Sequence, residues 1–125
     1  MKTVLVVEDS RTEQHLIISL LQKSGLQAVL AETAESALDW LAHNPPPDLI
    51  LMDIVMPGAN GLELCREVRA QPQFKDIPII FCSSKDQEFD RFWALRQGGN
   101  AYITKPFEPN ELIQTVCEYL NQPAE

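Results

Sequence analysis

Short, nearly continuous apolar runs alternate along the chain with stretches whose apolar residues recur at helical spacing. The runs suit strands buried on both faces of a parallel sheet, and the periodic stretches suit helices laid over that sheet. Five such pairs follow one another. The first strand, about Thr3 to Val7, leads to a helix with Leu16, Ile17, Leu20 and Leu21 on its inner face. Ser10-Arg-Thr-Glu13 reads as a capping box opening that helix, and Gly25 as its stop. A weaker strand, Ala28 to Leu30, precedes a helix with Ala34, Ala37, Leu38 and Leu41 inward, which Pro45-Pro-Pro47 terminates. The central strand is Asp48 to Met52. A loop dense in turn formers, Asp53 to Gly61, then enters a helix burying Leu64, Cys65 and Val68.

The fourth strand is Ile77 to Cys82, with Pro78 tolerable only near its start. A helix bearing Phe89, Phe92 and Trp93, expected in the core or at an interface, ends at Gly98-Gly99. The fifth strand is Ala101 to Thr104, and the last helix carries Leu112, Ile113, Val116, Cys117 and Leu120 after Pro109 in its first turn. With right-handed crossovers, five such units fold most readily into an α/β, flavodoxin-like, doubly wound parallel sheet of order 2-1-3-4-5 with five helices. A length of 125 residues accommodates one domain, and no effector domain is expected beyond Asn121.

Charge narrows the partners. Ten Lys and Arg stand against 18 Asp and Glu, a net charge of −8, so nucleic acid and anionic membranes are disfavoured and a protein partner is expected. Cys65, Cys82 and Cys117 lie far apart without metal spacing and read as small buried hydrophobes in a reducing compartment. No run is long enough to span a bilayer or serve as a secretory signal, so a cytoplasmic protein is expected, as a monomer. His15 and His43 are lone imidazoles on helices, His43 near a C-terminus where the dipole favours it. Trp40 is open between core and surface.

Chemistry-bearing residues follow four apolar runs: Glu8 and Asp9 after the first, Asp53 after the third, Ser83 after the fourth, and Lys105 after the fifth. In a parallel sheet these ends meet at one edge, where open α/β sheets bind ligands, and Asp9 and Asp53 face each other at the switch point. Singly, Asp9 fits a helix-capping acid, Asp53 a turn former, and Ser83 and Lys105 strand-end polar residues. Placed together, Glu8, Asp9, Asp53 and a loop carbonyl could hold Mg2+, which prefers oxygen ligands and leaves room for phosphate. A carboxylate at the end of the central strand can accept a phosphoryl group, with Lys105 pairing its oxygens and the Ser83 hydroxyl able to swing toward it. Tyr102, an amphipathic ring near Lys105, either reports the state of the site or packs statically.

The motifs Val7-Glu-Asp-Ser10, Met52-Asp-Ile-Val-Met-Pro-Gly58, Ser83-Ser84 and Tyr102-Ile-Thr-Lys-Pro-Phe107 together resemble a response regulator receiver domain of the CheY type, over essentially the whole chain. The resemblance implies a stand-alone two-component regulator phosphorylated on Asp53 by a histidine kinase. It also implies Mg2+ held by Glu8, Asp9, Asp53 and the Val55 carbonyl, a switch of Ser83 and Tyr102, and a cis bond between Lys105 and Pro106. Signalling is then expected through a protein docked on the fourth helix, fifth strand and fifth helix. Asp9 to Glu13, Met52 to Gly61 and Lys85 to Gly98 are similar to regulators of pilus-type chemotaxis, which control twitching motility. Ser84 and Lys85 depart from the small and acidic residues frequent there, and Val55 cannot hydrogen-bond a hydrolytic water. A phosphate sink for a shared kinase is an alternative output. An aspartate-nucleophile phosphatase would need a second Asp where Val55 stands, and a flavin module would need a phosphate cradle that the first loop lacks. The chain is therefore expected not to be an enzyme in the ordinary sense, although it promotes its own phosphoryl transfer and dephosphorylation.

Overall fold

The computed structural model describes residues 1–121. Five parallel strands, β1 (Thr3–Val7), β2 (Gln27–Ala31), β3 (Leu49–Met52), β4 (Ile79–Ser83) and β5 (Ala101–Thr104), form one sheet in the order β2-β1-β3-β4-β5. This is the flavodoxin-like order expected from the sequence. The helices are α1 (Arg11–Lys23), α2 (Ala34–His43), α3 (Gly61–Arg69), α4 (Glu88–Arg96) and α5 (Pro109–Tyr119).

Alternation along the strands divides the core in two. Val4, Val6, Leu49, Leu51, Ile80 and Cys82 join Ile17 and Leu21 of α1 and Leu112, Val116 and Cys117 of α5. Leu5, Val7, Ile50, Met52, Ile79 and Phe81 join Ala37 and Leu41 of α2, Leu64 and Val68 of α3, and Ala94 of α4. Successive strand side chains point to opposite faces, so an apolar run serves both layers and the sheet is covered on each side. All three cysteines are buried, and Trp40 packs half-buried against the α2–α3–α4 side. His43 lies at the exposed end of α2, its ring nitrogen 2.8 Å from the Asp39 carbonyl.

Several local expectations are corrected. On α1 the inward position taken for Leu16 belongs to Gln14: Leu16 is 44% exposed, whereas Gln14, Ile17 and Leu21 are buried. Ser10 caps α1 by accepting from the Glu13 amide, but no reciprocal bond from the Glu13 side chain completes the box, because the Ser10 amide donates to Glu8 instead. A complete box stands at α2, between Thr33 and Ser36. Of the two places expected for the aromatic stripe of α4, core or interface, the core is excluded. Phe89, Phe92 and Trp93 are 67%, 54% and 42% exposed, and Ala94 is the buried residue of that helix. The fourth strand starts after Pro78 and includes Ser83.

The loop after β3 is more ordered than its turn formers suggest. Val55–Met56 pairs antiparallel with Ala59–Asn60 around Gly58, whose φ of 69° suits a residue without a side chain. Gly61 closes the loop by donating its amide to the Ile54 carbonyl at 2.7 Å. A Cβ at Gly61 would fall on the Asp53 carbonyl oxygen and within 2.9 Å of Ile54 Cα, both backbone atoms that a rotamer change cannot move. Gly61→Ala is therefore expected to destabilise the fold by about 1–3 kcal/mol through overpacking, read as a lower urea midpoint. An unchanged midpoint would mean that this loop yields without cost.

Candidate functional site

Glu8, Asp53 and Lys105 are each placed at the sheet edge by a rung of the parallel ladder. The amide of Glu8 donates to the Ala31 carbonyl at 3.1 Å, that of Asp53 to Val7 at 3.1 Å, and that of Lys105 to Ser83 at 2.8 Å. Because hydrogen-bonded parallel strands end in register, their next side chains converge. The Glu8 side chain is 2% exposed as a residue and Asp9 is exposed, with Asp53 between these extremes. One carboxylate oxygen from each of the three lies within 4.8 Å of the others.

Lys105 spans two of them. Its Nζ donates to Glu8 Oε1 at 2.6 Å and to Asp53 Oδ2 at 3.2 Å. Glu8 Oε2 accepts from the Ser10 amide at 3.1 Å, and Asp53 Oδ1 accepts from the amides of Ile54 at 2.7 Å and Val55 at 3.4 Å. Burial raises the Glu8 pKa above its ordinary value, even against the lowering effect of Lys105 and the Ser10 amide. For Lys105, burial acts to lower the pKa, but the bond to Glu8 and the charges of Asp53 and Glu8 together outweigh it and raise it. The ammonium is thus firmly charged, while Glu8 bears a net cost of burial that its partner reduces without removing.

With all three acids ionised, one ammonium leaves two negative charges. That balance, and the hard oxygen donors, fit a divalent cation such as Mg2+. Val55 is exposed and lies beside Asp53 through its amide.

Ser83, fully buried, ends β4 with its hydroxyl accepting from the Lys85 amide at 3.3 Å. The Tyr102 hydroxyl donates to the Lys85 carbonyl at 2.7 Å. Burial raises the Tyr102 pKa, with the neighbouring Ser83 hydroxyl acting in the opposite direction. Arg91 lies over the Tyr102 ring at 5.3 Å and donates to Thr104 Oγ1 at 2.7 Å. The Lys105–Pro106 peptide is cis. Burial lifts the Cys82 thiol to about 12, so this cysteine beside the site stays protonated and inert as a nucleophile near neutral pH.

Glu8, Asp9, Asp53 and Lys105 thus meet in one constellation, with Ser83 and Tyr102 joined through the Lys85 backbone. Sequence reasoning missed Gln14, whose buried side-chain amide donates to the Glu8 carbonyl at 2.8 Å and props the loop bearing the acids. Its signal was available, because Gln14 stands three and seven positions before the inward Ile17 and Leu21.

Comparison with known proteins bears on this constellation. Residues 4–117 match the family model described as the response regulator receiver domain. The chain is 40% identical over 116 residues to the protein PilH of Pseudomonas aeruginosa, covering 93% of this chain and 95% of PilH. It is 36% identical over 115 residues to the phosphate regulon transcriptional regulatory protein PhoB of Escherichia coli, covering 92% of this chain but only half of PhoB. Among solved structures it resembles the receiver domain of the sensor histidine kinase PA1611 of Pseudomonas aeruginosa, with magnesium coordinated in the active site cleft. The TM-score is 0.88 at 30% identity, over 97% of this chain and 98% of that one. The chemotaxis protein CheY4 of Vibrio cholerae has a TM-score of 0.89 at 28% identity, over 95% and 98% of the two chains. A domain-length match to the family model, on a fold shared with a chemotaxis regulator and a magnesium-binding receiver, means that the chain belongs to the response regulator receiver domain family.

Proposed function

We propose that this receiver accepts a phosphoryl group on Asp53 from a histidine kinase and signals by docking a partner protein, in a pilus-linked chemotaxis system. The observation that carries the reading is Lys105 Nζ at 3.2 Å from Asp53 Oδ2, beside two further carboxylates at the end of the central strand. An acceptor needs a fixed carboxylate and a cation for the arriving phosphoryl oxygens, and Asp53 and Lys105 supply them. The 40% identity to PilH across nearly the full length of both chains supports the pilus setting.

In the transfer, an Asp53 oxygen forms the new bond to phosphorus while the P–N bond of the phosphohistidine breaks. The electron pair leaves with the imidazole nitrogen. The amides of Ile54 and Val55 hold the Asp53 carboxylate in place, and Lys105 shifts its charge onto phosphoryl oxygen. Glu8, Asp9, Asp53 and the Val55 carbonyl would hold Mg2+, which when bound neutralises phosphoryl charge.

The switch reading follows from one long bond. Ser83 holds Lys85 at 3.3 Å, and a phosphoryl oxygen is a stronger acceptor for the Ser83 hydroxyl than any neutral group. As Ser83 turns to donate there, the Lys85 backbone loses a partner, and Tyr102, bonded to the Lys85 carbonyl, follows. The face of α4, β5 and α5 then changes its affinity for a partner by a population shift. The protein acts in this scheme as a cytoplasmic monomer.

Acetyl phosphate with Mg2+ should add one phosphoryl group to the wild type by intact mass and none to Asp53→Asn. Labelling of that variant at the wild-type level would remove Asp53 as acceptor.

Lys105 also has a pH signature. A carboxylate whose folded pKa is raised loses stability as pH climbs from its unfolded value through the folded one. Lys105→Met removes the ammonium that limits this loss at Glu8. Its deficit in urea midpoint against wild type should be smaller near pH 5 and larger at pH 8, where ionising Glu8 without its partner costs more. Equal deficits at both pH values would contradict a buried charge held by Lys105.

A further inference from the structure

We infer that Arg69 is a positioning residue that makes α4 a lever, anchoring the C-terminal end of this helix so that phosphorylation swings its N-terminal end. The inference rests on the switch reading of Ser83 and Tyr102 and adds which part of the output face moves.

Arg69, the last residue of α3, is half-buried and uses its guanidinium on two segments at once. Nε and Nη2 donate to the Gly98 carbonyl at 3.0 and 2.8 Å. Nη1 donates to the carbonyls of Phe74 at 3.0 Å and Ile77 at 2.6 Å, in the connection entering β4. Nη2 reaches Asn100 Oδ1 at 2.8 Å, and that oxygen also accepts from the Ile79 amide at 2.9 Å. The planar fork of arginine can satisfy divergent carbonyls in this way, and a lysine cannot.

The turn that leaves α4 is therefore tied to α3 and to the start of β4. The Cys65 thiol adds a bond to the Gln97 carbonyl at 3.3 Å. Gly98 has φ of 114°, and a Cβ there would meet Arg69 Cγ at 2.8 Å, while one at Gly99 would meet Phe81 at 2.6 Å. The end of α4 is closely fitted as well as bonded.

Its other end is held differently. Gln87 and Asp90 cap each other within the helix. Tertiary bonds of this half run to β4 and β5: Arg91 to Thr104, and the preceding Lys85 backbone to Ser83 and Tyr102. Phe89 and Trp93 face a groove of about 450 Å³ whose opposite wall includes Leu62 and Arg66 of α3. From Gln97 back to Glu88 the lever is about 13 Å long. Release of Lys85 from Ser83 thus acts on the end of α4 that lacks the Arg69 anchor, and the width of the groove at Phe89 follows.

Amide exchange followed by NMR, with and without beryllofluoride and Mg2+, tests the lever. In the wild type, activation should alter exchange at Lys85 to Arg91 by several-fold and leave Gly98, Gly99 and Asn100 within about two-fold. In Arg69→Lys, activation-linked changes should spread to Gly98 and Gly99, while phosphorylation of Asp53 continues. A merely structural clamp would loosen both states alike and leave the pattern of activation changes in place, which would overturn the assignment. Comparable changes at both ends of α4 in the wild type would overturn the lever without any variant. Failure of wild-type Asp53 to take a phosphoryl group, seen by mass, would instead overturn the reading on which the lever rests.

Discussion

One ammonium makes this sheet edge possible. Three carboxylates with oxygens within 4.8 Å of one another would repel strongly, at about 3 kcal/mol per pair for an effective dielectric of about 20. Lys105 sits between Glu8 and Asp53 and offsets part of that repulsion. One positive charge against three negative ones cannot offset all of it, and burial, with a smaller push from the Asp53 charge, keeps the Glu8 pKa raised despite Lys105. The remaining negative charge is stored rather than quenched, so a cation that enters is favoured by electrostatics already present in the folded protein. The same ammonium is close enough to Asp53 to change partner from carboxylate to phosphoryl oxygen.

That storage depends on a backbone that cannot relax. Glu8, Asp53 and Lys105 each hang from a ladder bond to the neighbouring strand, so their backbones cannot move apart without breaking a rung of the sheet. Gln14 fixes the loop carrying Glu8 from within the core, and Gly61 brings the opposite loop onto the Asp53 backbone. Strain in charge is held by order in hydrogen bonds. The site is stiff on its β1 and β3 sides. On the β4 side, the bond between Ser83 and Lys85 is at the long end of the useful range, which is where a change of state costs least.

How much of this was legible in the sequence follows from what periodicity can express. The strands carry alternate residues to both layers of a covered core, so their apolar runs announce them, and their order follows from crossover handedness. The acids and Lys105 were legible for the same reason, as polar residues immediately after those runs. Helix faces read less well. Gln14 is a polar residue on an inward face, and hydrophobicity gave Leu16 the place instead. The aromatics of α4 left core and interface open, because apolar side chains at helical spacing suit either, and that helix covers the sheet with Ala94 alone. Arg69 was invisible because its acceptors are main-chain carbonyls, and any residue type carries one.

The exposed α4 and the rigid acidic edge are two requirements of one device. A phosphoryl group can shift a conformational equilibrium only by the difference in its interactions with the two states, a few kcal/mol at most for a handful of polar contacts. A helix buried along its whole inner face would resist such a bias, because many apolar contacts would have to be remade. A nine-residue α4 with one buried residue presents a low barrier to displacement, and the bonds of its N-terminal half run mainly to β5, a strand of the proposed switch. Its exposed rings then need not be a flaw in packing. Trp93 meets both Phe89 and Phe92 edge-on, with Arg96 over Phe92, so the apolar surface is braced while it is accessible. In the proposed switch, backbone bonds hold the edge that stores the charge, and few buried contacts hold the helix that would move.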